Sequence, residues 1–433
     1  MKKILIILLD GIGDRIYKEL GDLTPLEFAK TPNLDLSASK GASASVYPIN
    51  PGLVPPSELA HFHLFGYEHS HYPGRAVLES LGHGVSPPED IPVAHLGLRN
   101  VNINSGEFSI TPWWPCTEDD DAKELIKSIS KFESNGIVFE VKYIGNSDSL
   151  LIMHNGSERI TDSDPFMHTG LPVLKILPSN LLLEGLDTAV ALNNYLAWTH
   201  KILSSHEVNI NRVRDGKLPL NMTVTKWPGR NKSLISFKEL NGLNGKILAS
   251  APMYKGMSEV FQMGYEDMLE HKCDPSLEIS TKLDAAQTAF SDGYDFVHLH
   301  TKLADEAAHS HSPLAKANAI SAIDSGLSRL WEWPNLDDYI IAITADHCTP
   351  SHGPMLHSGE SVPLSIMGEG VRVDQIKDFS ERSSVGGSLG QLCSRDIMPI
   401  LLNAANRSRF LGGRSSPIDG YGLSSHIPLK YEL

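Results

Sequence analysis

The sequence predicts an α/β fold: a mostly parallel β-sheet flanked by helices, with an inserted α+β domain. Three observations predict it. Apolar runs at 4–9, 294–300 and 338–345 each lead into an acid, or into an acid and an imidazole. Strands buried on both faces of a parallel sheet read as such continuous runs, and ligands gather at their carboxyl ends. Second, from about Ser86 to Asn244 the texture changes to shorter alternating segments such as 136–143, a charged run at 118–121, and Gly/Asn/Ser turns. Third, Gly245-Lys-Ile-Leu-Ala-Ser250 resumes the buried-strand pattern. The expected division is therefore a discontinuous main domain, 1–85 with 245–433, and an insertion, 86–244.

The elements follow in order. The run Ile4-Leu-Ile-Ile-Leu-Leu9 is a strand, and Asp10-Gly-Ile-Gly-Asp-Arg15 is the loop after it. Thr24-Pro-Leu-Glu27 starts a helix, with a capping hydroxyl, proline in the first turn and an acid at the positive dipole end. Thr31-Pro-Asn-Leu-Asp35 repeats that chemistry. The loop Pro51-Gly-Leu-Val-Pro-Pro56 leads into a helix with Ser57 at its N-terminus. Beyond the insertion, strands and helices alternate to about Asn406, with 304–331 strongly helical. A chain of 433 residues exceeds one typical core, so two domains are expected.

Composition is that of a soluble globular enzyme, with 41% hydrophobic and 21% charged residues. The formal net charge of −15 argues against nucleic acid, whose binding needs Lys and Arg to neutralise phosphates. A small phosphorylated substrate is compatible with that charge, because bound divalent cations reverse the field locally. The four cysteines (Cys116, Cys273, Cys348, Cys393) are widely separated, which argues against a disulfide framework or zinc knuckle. Cys348, beside an acid–imidazole pair, reads as a small buried thiol. The N-terminal apolar run is six residues long and stops at Asp10, too short for a signal peptide. No stretch approaches the roughly 20 apolar residues of a membrane span. The expectation is a cytoplasmic protein without membrane or nucleic-acid partners, a monomer or small homo-oligomer.

The chemistry concentrates late in the chain. Asp305 and His309 are four apart, so they share a helical face where both reach one ion. Asp346-His347 are adjacent and converge only if the strand ends there, as Thr349-Pro350 suggests. His357 returns from a Gly/Pro/Ser-rich loop that also carries His352, a solvated decoy. Asp10 closes the first strand. Hard carboxylates mixed with imidazoles suit divalent metals, and this many within so short a span point to a two-metal site. A metal beside Ser57 would lower its hydroxyl pKa and make it a nucleophile.

These segments match a family. The loop from Asp10 to Arg15, the stretch from Leu20 to Asp35, Ser57-Glu-Leu-Ala-His61 and Leu64-Phe-Gly-Tyr67 form a first group. Gly74-Arg-Ala-Val-Leu-Glu-Ser-Leu-Gly82, Thr161-Asp-Ser-Asp-Pro165, Thr344-Ala-Asp-His-Cys-Thr-Pro350 and His357-Ser-Gly form a second. Together they resemble the cofactor-independent phosphoglycerate mutases, archaeal-type branch, in the alkaline phosphatase superfamily. The resemblance implies an alkaline-phosphatase-like sheet and two divalent ions, Mn2+ or Zn2+, with no need of 2,3-bisphosphoglycerate. It places Asp10, Ser57, Asp346 and His347 on one ion and Asp305, His309 and His357 on the other. Ser57 would carry the phosphoryl group between the two hydroxyls of the glycerate. Lys255, Arg99, Arg75 and Arg230, with Lys226 nearby, are the expected substrate-holding cations. Two departures stand out. Pro56-Ser57-Glu58 replaces the usual Gly-Ser-Asp, and the insertion carries Tyr143-Ile-Gly-Asn-Ser-Asp-Ser-Leu150 and Ser109-Ile-Thr-Pro-Trp-Trp114 where relatives have arginine-bearing strands. The alternative expectation is a metal-dependent mutase or phosphatase for another small phosphorylated or phosphonate acid.

Overall fold

The computed structural model describes residues 2–111, 119–165, 170–180, 183–271 and 273–408; Cys116 and Pro112-Trp-Trp114 lie outside them. In chain order the strands are β1 (Lys3–Leu9) and β2 (Gly41–Tyr47), then β3 (Pro92–Arg99), β4 (Val101–Asn104) and β5 (Glu107–Ile110). There follow β6 (Lys131–Ser134), β7 (Ile137–Gly145), β8 (Asp148–His154) and β9 (Met222–Arg230). The last six are β10 (Gly245–Ala249), β11 (Gly264–Asp267), β12 (Phe296–Thr301), β13 (Tyr339–Thr344), β14 (Val362–Met367) and β15 (Gly390–Cys393). The chain divides into two compact units, 1–72 with 234–433, and 73–233.

The first unit is built on an eight-stranded sheet of order β11-β10-β12-β1-β13-β14-β2-β15. Its pairings are parallel except the two made by β14. β1 lies inside, and Ile4 to Leu9 are wholly buried, as their uninterrupted apolar run requires. Burying side chains of this size contributes roughly 1.5–3 kcal/mol each. β1 pairs with β12 on one side, Leu9 opposite Thr301, and with β13 on the other, Leu8 opposite Thr344. Parallel pairing in this register brings Asp10, the turn after Thr301 and the turn after Thr344 to one edge. That is how segments some 300 positions apart supply one site.

The segment expected to be one helix, 304–331, is Leu303–Ala308, then Pro313–Leu327, then a 3-10 turn at Ser328–Glu332. Ser312 caps the second helix through the Ala315 N–H, and Pro313 opens it. The break leaves His309 at the end of the first helix, its N–H on the Asp305 carbonyl.

The second unit carries a five-stranded antiparallel sheet, β6-β7-β8-β3-β9, and the hairpin β4-β5. The helix Leu186–Ser204 packs on it through Ala189, Leu192, Tyr195 and Leu196, in one core with Leu96, Phe139, Leu151 and Val224. The boundaries expected at 86 and 244 are corrected to 73 and 233. The helix Arg75–Gly82 buries Ala76 and Val77 against Val93, Leu150 and Ile152 of the second unit's sheet. At the other end Phe237 packs edge-on to Phe65 and against Phe296, both in the first unit. Among the described residues no helix is long and apolar enough to cross a membrane.

Candidate metal centre

Asp10, Ser57, Asp305, Asp346, His347 and His357 converge at the carboxyl edge of β1, β12 and β13. Asp10 and His347 are wholly buried. Asp346, Asp305 and Ser57 are nearly so, at 2%, 6% and 8% exposure. The ligand atoms of Asp10, Asp346 and His347 lie within 4.8 Å of one another, and so do those of Asp305, His347 and His357. His347 thus belongs to both groups. His309 joins from the side, with Nε2 3.4 Å from the Asp305 Oδ2.

Local sequence explains how each side chain is aimed. The chain turns sharply after Asp10 because Gly11 adopts φ +64°. A Cβ there would lie 2.4 Å from Thr349 Oγ1 and 2.9 Å from the Asp305 Cβ, so the loops after β1, β12 and β13 meet over a missing side chain. Ser57 opens the helix Ser57–Leu64, but Pro56 occupies the capping position and no side chain caps it. The Ser57 hydroxyl lies 2.9 Å from His347 Nε2 instead.

Hydrogen-bond partners fix the ring nitrogens. Thr349 donates its one hydroxyl hydrogen to Asp305 Oδ1 at 2.7 Å, so at 3.2 Å it accepts from His347 Nδ1–H. His347 Nε2 is then bare, 3.4 Å from Asp10 Oδ1 and 3.3 Å from Asp346 Oδ2. His357 Nδ1–H donates to the Pro55 carbonyl at 3.2 Å, which leaves its Nε2 facing Asp305 Oδ1. A metal-ligating histidine is oriented in this way, its second nitrogen tied to an oxygen.

The donor set fits divalent cations. Asp10 Oδ1 and Asp346 Oδ2 are buried without a hydrogen-bond partner. Burial, then the charges of Asp10 and Asp305, pushes the Asp346 carboxyl far above its usual range. Burial would raise Asp10 too, yet the hydrogen bond from His300 and the imidazole of His347 hold it well below. Three acids crowded into a dry space, with lone pairs aimed inward, are stabilised by cations among them. Carboxylate oxygens and imidazole nitrogens are the ligands that Mn2+ and Zn2+ take. Cys348 is buried, points at the carbonyls of Glu360 and Ser361, and is in neither group. His352 is exposed and outside both.

The expected substrate-holding cations fare differently. Lys255 is exposed on the helix Pro252–Phe261 of the first unit. The other three lie in the second unit. Arg99 is fully buried, donating to Asp164 Oδ2 at 3.1 Å and to the Leu98 carbonyl. Arg75 stacks 4.1 Å over the Trp227 ring and pairs with Glu79. Arg230 grips Glu158 through two nitrogens and the Asp90 carbonyl through a third. Lys226 lies beside the Arg99–Asp164 pair, 3.9 Å from Asp164, and burial lowers its pKa to about 8.

Sequence reasoning missed Thr349, His300 and Tyr254. Thr349 stands inside a quoted motif, but its role depends on which loop faces it. His300 had a visible signal: His298 and His300 are two imidazoles on one face of a strand otherwise apolar, and both are wholly buried.

Residues 2–404 match the Metalloenzyme superfamily. A 2,3-bisphosphoglycerate-independent phosphoglycerate mutase 2 of Methanocaldococcus jannaschii is 36% identical over 442 positions, covering 99% of this chain and 98% of the relative. A 2,3-bisphosphoglycerate-independent phosphoglycerate mutase of Pyrococcus abyssi is 32% identical over 422 positions, covering 95% and 99%. Among solved structures, a Pyrococcus horikoshii protein aligns with TM-score 0.74 and 27% identity over 95% of this chain and 99% of its own. The cofactor-independent phosphoglycerate mutase of Thermoplasma acidophilum aligns with TM-score 0.61 and 29% identity over 94% and 100%. Matched along nearly its whole length, the chain belongs to the metalloenzyme superfamily and, within it, to the archaeal 2,3-bisphosphoglycerate-independent phosphoglycerate mutases.

Proposed function

We propose that the protein interconverts 3-phosphoglycerate and 2-phosphoglycerate through a phosphoryl group carried on Ser57. Two divalent ions, Mn2+ or Zn2+, would be held by Asp10, Ser57, Asp346 and His347 and by Asp305, His309 and His357. The observation that carries this reading is the 2.9 Å between Ser57 Oγ and His347 Nε2, inside a ring of three buried aspartates. No ordinary structural need puts a serine hydroxyl there, since it does not cap its helix.

The chain's own groups divide the work. Ser57 sits in the first turn of its helix, so a phosphoryl group on it would lie near the positive end of the helix dipole. Bound divalent ions would supply the positive charge that stabilises a serine alkoxide and the equatorial phosphoryl oxygens. Burial of the ligands keeps bulk water from competing for the phosphoryl group. Lys255 is the first-unit cation proposed to hold the transferred group, and Arg99, Arg75 and Arg230 are proposed for the substrate's remaining charge. Relatives that align over 95% or more of this chain carry the mutase name, which supports the same substrate here.

A second reading keeps the site and changes its cargo, to another small phosphorylated or phosphonate acid. Its specific support is that two of the cations proposed for the glycerate end, Arg99 and Arg230, already pair with Asp164 and Glu158. Incubation with 3-phosphoglycerate and Mn2+, without added 2,3-bisphosphoglycerate, separates the two. The mutase reading expects 2-phosphoglycerate to accumulate. Phosphate release alone, or no turnover, would favour the second.

A further inference from the structure

Beside Asp10 lies a tier of wholly buried rings: His61, His298, His300 and Tyr254. His300 Nε2 is 3.2 Å from Asp10 Oδ2 and 2.7 Å from Tyr254 Oη. Counting hydrogens decides what this contact is. An ionised Asp10 only accepts, so a bare Nε2 would meet it lone pair to lone pair; Nε2 therefore carries the hydrogen. His300 Nδ1 is buried with no partner, and a second N–H there would be stranded, which costs more than an unused lone pair. The ring is thus the neutral Nε2–H tautomer, its hydrogen forked between Asp10 Oδ2 and Tyr254 Oη. The tyrosine lies against the ring at a centroid distance of 4.1 Å and fixes its plane.

Asp10 is consequently asymmetric. Oδ2 is engaged by His300, while Oδ1 has no hydrogen bond and points toward His347 Nε2 and the Asp346 group. We propose that His300, held by Tyr254, is a positioning residue that ties down Asp10 Oδ2 and presents Oδ1 alone to the metal. This rests on the reading of the cluster as a divalent-metal site. Restricting a carboxylate to one oxygen suits ions smaller than Ca2+, which hold fewer oxygens. It disfavours Ca2+, which takes six to eight oxygens and readily uses both from one carboxylate. His300 is then a determinant of metal choice as well as affinity.

The test is calorimetric titration of the metal-free protein with Mn2+ and, separately, Ca2+. The variants are His300→Leu, His300→Gln and Tyr254→Phe, each with its metal-free melting temperature. Removing an outer-shell partner of a metal ligand costs about 10–100-fold in affinity. His300→Leu is expected to lose that much for Mn2+ and to narrow the Mn2+/Ca2+ gap. His300→Gln, whose amide places an N–H near the Nε2 position, should recover most of the loss. Tyr254→Phe should weaken Mn2+ binding several-fold. Unchanged Mn2+ affinity in His300→Leu, or in Tyr254→Phe if the leucine variant does not fold, overturns the proposal. So does equal loss in the leucine and glutamine variants. If the unaltered protein binds no Mn2+, the metal reading itself fails and the proposal falls with it; wild-type binding beside an indifferent variant sinks the proposal alone.

Discussion

Ser57 and Gly11 show how much of the site depends on single atoms. Replacing Ser57 by alanine removes one oxygen from a buried position and leaves the helix start intact, since Pro56 occupies the cap position. Turnover should fall by on the order of 10⁴-fold or more, as when a nucleophile is removed. Calorimetry should show Mn2+ still binding through the aspartates and histidines. Gly11→Ala is the opposite case, a change outside the reacting groups that disturbs all of them. The new methyl must displace Thr349 and Asp305 at a residue with φ +64°. About 1–3 kcal/mol of stability should be lost, read from the denaturant midpoint, together with much of the metal affinity. Asp162 supplies a pH test away from the metal ligands. Burial raises its pKa from 3.8 to about 6. Between those values the unfolded chain is ionised while the folded chain keeps its proton, so stability falls as pH rises through that window and is level above it. Asp162→Asn keeps an acceptor for the Trp227 N–H and removes the titration. Its stability relative to wild type should therefore increase from pH 4 to 6, by at most roughly 2 kcal/mol given the group's partial exposure. An unchanged difference across that range would show that Asp162 ionises normally.

At the scale of elements, the loops after β1 and β13 are held together by a lysine from neither. Lys316, on the helix Pro313–Leu327, donates to the Gly13 carbonyl, the Thr349 carbonyl and Asp14 Oδ2, all between 2.8 and 3.1 Å. Asp14 in turn accepts from the Ser351 N–H and hydroxyl and from Tyr17. Both members of the ion pair are fully enclosed. Lys316→Met would strand a buried carboxylate, and a loss of about 3–5 kcal/mol is expected in chemical unfolding. A loss below about 1 kcal/mol would mean the pair contributes little to the loops. The strands were legible in the sequence because a doubly buried parallel strand has no polar alternation to confuse it, and its terminal acid is conspicuous. The Lys316 network was not, because an isolated Lys in a helical segment reads as solvated until the packing of that helix is known. Thr349 was hidden for the same reason, because loop approach chooses its partners; His298 and His300 stood out as imidazoles in an apolar strand, but the register that sets Asp10 beside His300 is encoded in no local pattern.

At the scale of the whole chain, the insertion was visible as a change of texture while its ends were misplaced. The helix Arg75–Gly82 follows the Ser57 helix closely and carries a family-like motif, so sequence assigns it to the main domain. Its apolar face is instead buried on the second unit's sheet. The stretch 234–241 errs the other way, because its capping box at Ser236 and Glu239 resembles the turn-rich texture before it, while Phe237 is anchored in the first unit. Fold class, and the convergence of acids and imidazoles at one sheet edge, were readable because they rest on a few strand tips, whereas the ion pairs around the expected substrate-holding cations were not. Arg99 and Arg230 look free in sequence, and only folding reveals Asp164 and Glu158 beside them. The proposed chemistry turns on Ser57 carrying the phosphoryl group. The most direct measurement is acid quenching of the Mn2+-loaded protein during turnover of 3-phosphoglycerate, followed by peptide mass mapping. One phosphoryl group is expected on the peptide containing Ser57, absent from Ser57→Ala. Efficient 2-phosphoglycerate formation with that peptide unmodified, or undiminished turnover in the alanine variant, would contradict it.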